Sequence, residues 1–270
     1  MSSDPEEQLN AHVTQKVEFM AQVSPKHFYK VDMRTFSLSE ILYYLPGING
    51  FLTWLLNVLG IKPLPVYESL VPFPVRADSF FCDHTEVSLT GREMIAPFVE
   101  SFERLGFSVL GYEQNPSIDP NVLDCAACHL LHQNGNFFSN VIFLNSVEAS
   151  EPHRVSLTIW CLDSENRAFG LHNKARSYDI FAANLLKTTS ILIHTDSPFE
   201  LFREFELRVN AQLDFSSLKP LYNRHQYAQL IETRSVAVLE EGLRRGRYIP
   251  MTEIEVQELK RKHSWRYAQT

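Results

Sequence analysis

The sequence contains little glycine. Only 10 of its 270 residues are glycine, against 19 phenylalanines, whereas about 7% glycine is usual in proteins. Loops that cradle phosphates depend on clustered glycines, and the chain has neither a Walker loop nor a dinucleotide-binding fingerprint. The low glycine content therefore argues against nucleotide chemistry, and we expect no cofactor.

Cysteine is also scarce. The four cysteines, at positions 82, 125, 128 and 161, are too few and too scattered to staple a chain of this length with disulfides. The first seven residues include three acidic side chains and no basic one, whereas a secretory signal would be basic and then apolar. We therefore expect reduced thiols in a cytoplasmic protein, with attachment to the inner face of a membrane as the open alternative.

An excess of basic residues is missing as well. The chain has 25 Lys and Arg against 32 Asp and Glu, a net charge of −7, while 44% of its residues are hydrophobic. Binding to nucleic acid needs clustered basic residues that release counterions. We expect a protein with a real apolar core and no nucleic-acid partner.

No motif of a known catalytic class occurs in the chain, neither Gly-x-Ser-x-Gly nor His-Glu-x-x-His. Two histidines, His172 and His194, stand where predicted strands end and side chains can converge. They are the candidate catalytic residues of a hydrolase-like enzyme with a histidine-centred site. Because no reactive group accompanies them in the sequence, enzyme function is the alternative hypothesis rather than the leading one.

Residues 125–129 read Cys-Ala-Ala-Cys-His, which matches the attachment pattern of c-type haem. On a strand, however, Cys125 and His129 share one face and Cys128 points to the other, so both thiols cannot meet one ring or one metal. Short spacings also make Cys82, His84, Cys128 and His132 the metal-ligand candidates. Metal or haem binding at this strand is a second alternative; we expect no bound metal.

Charge is absent from residues 41–61, which is the length of a membrane-spanning helix. Proline, glycine and asparagine interrupt its first half, which a helix at bilayer depth would not favour. Three interpretations stay open: a core or interface helix, an interfacial or re-entrant membrane segment, and a true span. The residues expected to contact a partner or membrane are Phe51, Trp54, Leu55 and Val58.

The chain divides by composition into four parts. An N-terminal helical arm and the uncharged segment occupy residues 1–61, and a proline-rich extended linker covers 62–87. A globular α+β domain is expected over 88–250, followed by a charged helix over 251–270. Within the domain, Thr90-Gly-Arg-Glu93 has the pattern of a capping box that starts a helix. Ser197-Pro198-Phe199-Glu200 predicts a second helix start, with serine as the cap and proline at the first helical position.

The clearest local signal in the domain is Asn134-Gly135, which lies between two β-rich runs and favours a two-residue hairpin turn. A tight turn there pairs Cys128 with Val141 and His129 with Asn140. Further strands follow with short connections, so we predict an antiparallel meander of four to five strands flanked by helices, an α+β fold.

The order of these features resembles a group of uncharacterised bacterial proteins. Four pieces carry the resemblance, which covers about residues 88–213: Leu105-Gly106-Phe107, Val155-Ser156-Leu157, the polar turn at 163–167, and His172-Asn173. The turn lacks the Asp-Gly that this group tends to have. The resemblance implies the α+β fold and brings no activity with it.

The leading functional hypothesis is therefore a non-catalytic binding or interaction module, docked or tethered through residues 41–61. Its expected partner is a protein or a small apolar ligand, with a membrane surface as the alternative.

Overall fold

A computed structural model describes residues 28–44, 47–68, 75–114, 122–146, 153–173 and 188–262. The helices longer than one turn in these ranges are α1 (Leu38–Tyr44), α2 (Ile48–Val58), α3 (Leu89–Arg104), α4 (Pro198–Gln212), α5 (Arg224–Arg244) and α6 (Glu253–Lys262). The strands are β1 (Tyr29–Asp32), β2 (Val66–Glu68), β3 (Phe107–Gln114), β4 (Val122–His132), β5 (Phe137–Ser146), β6 (His153–Leu162), β7 (Ala168–His172), β8 (Thr189–Leu192) and β9 (Tyr248–Pro250). The first 27 residues, where the N-terminal helical arm is predicted, lie outside the described residues.

The central sheet has six strands in the order β3-β4-β5-β6-β7-β8. Neighbours from β3 to β7 are antiparallel, which confirms the α+β class and the antiparallel meander. β8 adds to β7 in parallel, so the sheet is mixed. A parallel neighbour requires a long crossover connection, and short turn signals in a sequence do not predict one.

The hairpin register is confirmed. Cys128 pairs with Val141 and His129 with Asn140. Gly135 in the turn has a φ of 73°, a conformation that other residues rarely adopt. Because side chains alternate along each strand, this register fixes which residues of β4 and β5 face each side of the sheet.

Helices cover both faces of this sheet, which gives three layers. On the first face, α3 and α4 bury an apolar stripe that includes Ile95, Phe102 and Phe205 against Cys128, Val141 and other sheet residues. On the second face, Tyr227 and Ala228 of α5 pack with Phe138 and Trp160. Both faces are apolar where they are covered, as a sheet with helices on each side requires.

A second, three-stranded sheet joins the two ends of the described chain, in the order β2-β1-β9. β1 pairs antiparallel with both neighbours. Beside it, Arg247 is fully buried and its Nη2 lies 2.9 Å from Oε2 of the buried Glu40. The Arg247 guanidinium also stacks over the Phe36 ring at 4.1 Å. The N-terminal segment is therefore anchored to the loop that follows α5.

The capping box predicted at Thr90 is wrong. α3 begins earlier, with Ser88 as its N-cap: the Ser88 hydroxyl accepts a hydrogen bond from Gly91 N at 3.0 Å. The same hydroxyl donates to Asp124 Oδ2 at 2.5 Å, a contact with β4 that the local sequence could not show. The predicted start of α4 at Ser197-Pro198 is confirmed, with Ser197 accepting from Glu200 N.

The uncharged segment contains the last four residues of α1 and the whole of α2. α2 has 11 residues, roughly 16 Å of helix, against about 30 Å for the hydrocarbon core of a bilayer. In the described part of the chain, no helix is both long enough and apolar enough to cross a membrane. Within the segment, α2 begins after its N-cap Gly47 and ends at Val58, with Gly50 inside the helix.

Candidate functional site

The solvent-facing side of α2 is apolar. Six residues at helical spacing form what we call the α2 stripe: Ile48, Phe51, Leu52, Leu55, Val58 and the C-cap Leu59. Ile48 is 69% exposed, Leu52 46% and Val58 60%, while Leu55 is half-buried. Spacing by three and four residues places such side chains on one helix face, and here that face is turned to water.

The opposite side of α2 carries the smaller and more polar residues. Gly50 is buried, and Thr53 and Asn57 are half-buried. The Asn57 side chain donates to Arg34 O at 3.1 Å and accepts from Leu64 N at 2.8 Å. The helix is therefore inverted relative to an ordinary surface helix, which buries its apolar face and exposes its polar one.

The four contact residues predicted from the sequence are all on this helix. Phe51 and Val58 are exposed, and Leu55 and Trp54 are half-buried. The Trp54 ring lies 6.1 Å from the Phe51 ring. Sequence reasoning missed Ile48, Leu52 and Leu59, although their helical spacing from Phe51 and Val58 is visible in the sequence.

A second feature is a row of polar side chains on the sheet face beneath α5. His129, Asn140, Thr158 and His172 are successive cross-strand neighbours from β4 to β7. His129, Thr158 and His172 are buried. Polar groups in such a place need hydrogen-bond partners, because water cannot reach them.

At one end of the row, His129 is held by three side chains. Its Nε2 lies 2.9 Å from Glu113 Oε2, and its Nδ1 lies 2.9 Å from the Tyr227 hydroxyl. The Tyr227 hydroxyl also donates to Asn140 Oδ1 at 3.1 Å. The rings of Phe80 and Phe81 lie 5.0 and 5.6 Å from the imidazole. This enclosed network positions α5 on the sheet and leaves little room for a substrate.

At the other end, His172 faces the edge strand β8. Its Nδ1 lies 2.7 Å from the hydroxyl of Ser190, which is half-buried. Burial lowers the pKa of His172, so its imidazole is neutral at neutral pH and able to accept a proton. Thr158 Oγ1, on the neighbouring strand, is buried and has no hydrogen-bond partner among the described residues. The Ser190 hydroxyl and the His172 imidazole therefore lie within proton-transfer distance of each other.

The other candidate histidine does not join this group. His194 is exposed and lies beyond the end of β8. Ser190 was not among the sequence candidates, since nothing in the local pattern indicates that β8 lies parallel to β7. Glu113 and Tyr227 were not sequence candidates either, because each contacts His129 from a distant segment of the chain.

Three of the four metal-ligand candidates contact Tyr112, each in a different way. The His84 ring lies 4.6 Å from the Tyr112 ring and is tilted against it, Cys82 pairs with Tyr112 through the backbone, and Cys128 hydrogen-bonds the Tyr112 side chain. His132 instead packs near Phe107 and Phe202. Among the described residues, no group of three or more His, Cys, Asp or Glu side chains is placed to hold a metal ion.

The thiols of the haem-like pattern, Cys125 and Cys128, are unreactive at neutral pH. Cys128 belongs to the first core cluster, whereas His129 bonds Tyr227 on the other side of the sheet. Burial raises the pKa of both Cys125 and Cys128 to about 12, and neighbouring carboxylates add to the effect. At neutral pH both are protonated, and a thiolate is the form that ligates metals.

Comparisons with known proteins provide no further guide to these sites. No family model, curated protein or solved structure matches the chain.

Proposed function

We propose that this protein is a binding module that docks onto an apolar surface through the α2 stripe. The observation that carries the proposal is the inverted helix, with its apolar side chains in water and Asn57 turned inward. Exposed apolar side chains that occur singly need no explanation, but a continuous patch of them marks an interaction site.

The rest of the molecule supports a docking function for this helix. α2 is connected through α1, whose Glu40 pairs with the buried Arg247 near the C-terminal end of α5. Because α2 is anchored in this way, a partner that binds the helix is held in a fixed position relative to the rest of the protein. The resemblance to uncharacterised bacterial proteins stays a prediction and adds no activity.

Binding of the full chain to uncharged dodecyl maltoside micelles tests the docking proposal. We expect the wild-type chain to carry a micelle in size-exclusion chromatography with light scattering, or to self-associate through the same face without detergent. Leu52→Glu should abolish either behaviour, and Ile254→Glu on α6, a residue 70% exposed, should abolish neither. A wild-type chain that elutes as a detergent-free monomer, identical to Leu52→Glu, would contradict the proposal.

A second candidate function rests on the pair formed by His172 and Ser190. We infer that this pair would support a hydrolase-like reaction on an ester. Ser190 Oγ would attack the carbonyl carbon while its proton passes to His172 Nδ1, and the departing alcohol would take that proton. Water would then cleave the acyl-serine through the same base, restoring both residues. A hydroxyl beside a neutral imidazole is the minimum that such chemistry requires.

A fluorophosphonate probe distinguishes this second candidate. We expect the full chain to be labelled at Ser190, as located by peptide mass spectrometry, and Ser190→Ala to prevent labelling. Replacing His172 by Asn should slow labelling by about a hundredfold or more. Ser164→Ala, in an exposed turn, serves as the control. Absence of label on Ser190 in the wild-type chain would eliminate the hydrolase candidate.

A further inference from the structure

The segment that carries the α2 stripe has no charged residue of its own. Residues 41–61 contain none, and the nearest following cation is Lys62, which is exposed. Interfaces between proteins usually surround an apolar centre with a polar rim that carries hydrogen bonds. On α2 the side chain of Asn57 is already satisfied within the molecule, and Asn49, at the start of the helix, is exposed. The six side chains of the stripe offer no hydrogen bonds, so their chemistry suits an apolar partner.

The size of the stripe also argues against a stable interface with a second protein. Its exposed side chains, together with Ile61, which is 69% exposed, present an area on the order of several hundred Å². A stable protein interface buries about 800 Å² on each partner. The stripe alone falls short of that, and an interface with a second copy of the chain would need additional surface beyond it.

The length and orientation of α2 also limit what it can do. The helix is too short to span a bilayer, yet its exposed face is continuous along all three turns and onward to Ile61. A short helix with one apolar face lies in the plane of a membrane, with that face about 5–10 Å below the headgroups. Trp54, half-buried at the flank of the stripe, is a residue type enriched at that depth.

From these observations we propose that the α2 stripe docks on the surface of a lipid bilayer, with α2 lying parallel to the membrane. This proposal rests on the docking function argued above and names the partner of that site. Because residues 41–61 carry no charge and the chain as a whole carries −7, attraction to anionic lipid contributes little to the binding. Apolar burial drives it, so binding requires no phosphatidylserine and changes little with salt.

Vesicle flotation tests the lipid partner directly. The full chain should float with vesicles of phosphatidylcholine alone as well as with vesicles that contain phosphatidylserine, and equally in about 0.1 and about 0.5 M salt. Leu52→Glu and Leu59→Glu should each weaken binding by about tenfold or more, the effect of losing one buried leucine. Two equally exposed apolar residues elsewhere provide matched controls, Leu207→Glu on α4 and Ile254→Glu on α6.

The alternatives give distinct results. Because Leu52 and Leu59 are exposed, unchanged circular dichroism and urea midpoints will show that these variants fold. A wild-type chain that does not float, but forms a dimer that Leu52→Glu dissociates, would assign the stripe to a second copy and overturn the lipid proposal alone. Flotation that needs phosphatidylserine and persists in Leu52→Glu would also overturn it. A chain that neither floats, binds micelles nor self-associates would overturn both proposals.

Discussion

The imidazole of His129 is held in place by side chains from three other segments of the chain. Glu113 comes from the neighbouring strand β3, Asn140 from β5 and Tyr227 from α5. The hairpin signal at Asn134-Gly135 was enough to place Asn140 opposite His129. Helical spacing within α5 predicts that Tyr227 faces inward, and Tyr227 is indeed fully buried, but nothing local indicates that its hydroxyl meets His129. The haem-like pattern around His129 could be read from the sequence, but the partners that hold its ring could not.

Replacing Tyr227 by Phe should reduce the free energy of unfolding by about 1 kcal/mol, the usual net value of a buried hydrogen bond. The ring still fills its place, while the hydroxyl contacts with His129 and Asn140 are lost. Tyr222→Phe is the matched control, since Tyr222 is 72% exposed and its change should be within about 0.5 kcal/mol. Urea unfolding of the two variants measures the difference, and equal midpoints would show that the network is not stabilising.

At the level of elements, helix starts were read correctly where one hydroxyl residue stood alone before a proline. Ser197-Pro198 is such a case. Before α3, two hydroxyl residues compete, Ser88 and Thr90, and the sequence pattern favoured Thr90 because a glutamate follows it. In the structure Ser88 is the N-cap of α3, and its hydroxyl also donates a hydrogen bond to Asp124 near the start of β4. A tertiary contact of this kind leaves no trace in the local pattern.

Substitution of the two hydroxyls separates these alternatives. Ser88→Ala removes the cap of α3 and the contact with Asp124, and should cost about 1–2 kcal/mol of stability. Thr90→Ala, at an exposed position inside the first turn, should change stability by less than about 0.5 kcal/mol. Urea midpoints of both single variants provide the measurement. A larger loss for Thr90→Ala would restore the capping box predicted from the sequence.

Across the whole molecule, the ends of the described chain meet in the second sheet. Composition divided the chain at its prolines and could not show that β1 pairs with β9, because strands of three or four residues have too little pattern to recognise. The buried pair of Glu40 and Arg247 strengthens this junction. Burial alone would raise the pKa of Glu40, but hydrogen bonds from Ser37 and the contact with Arg247 lower it below its ordinary value of 4.5.

Glu40→Gln should therefore destabilise the protein in a pH-dependent way. At neutral pH it leaves the buried Arg247 charge without its carboxylate, a loss of about 3–5 kcal/mol. Because the Glu40 pKa is lower in the folded state, the pair stabilises fully above the unfolded value of 4.5 and less as pH falls through the folded value. The stability gap to wild type should shrink as pH falls. Glu93→Gln, on the exposed face of α3, is the control, and a gap independent of pH would contradict the assignment.

The central claim about the molecule is that the α2 stripe enters the surface of a lipid bilayer. The most direct measurement is the fluorescence of an environment-sensitive label at position 52, in Leu52→Cys, compared with the same label at position 254, in Ile254→Cys. With vesicles of phosphatidylcholine, the label at 52 should brighten and shift to shorter wavelength, while the label at 254 should not change. Unchanged emission at 52 in the presence of vesicles would contradict docking of α2 on a bilayer.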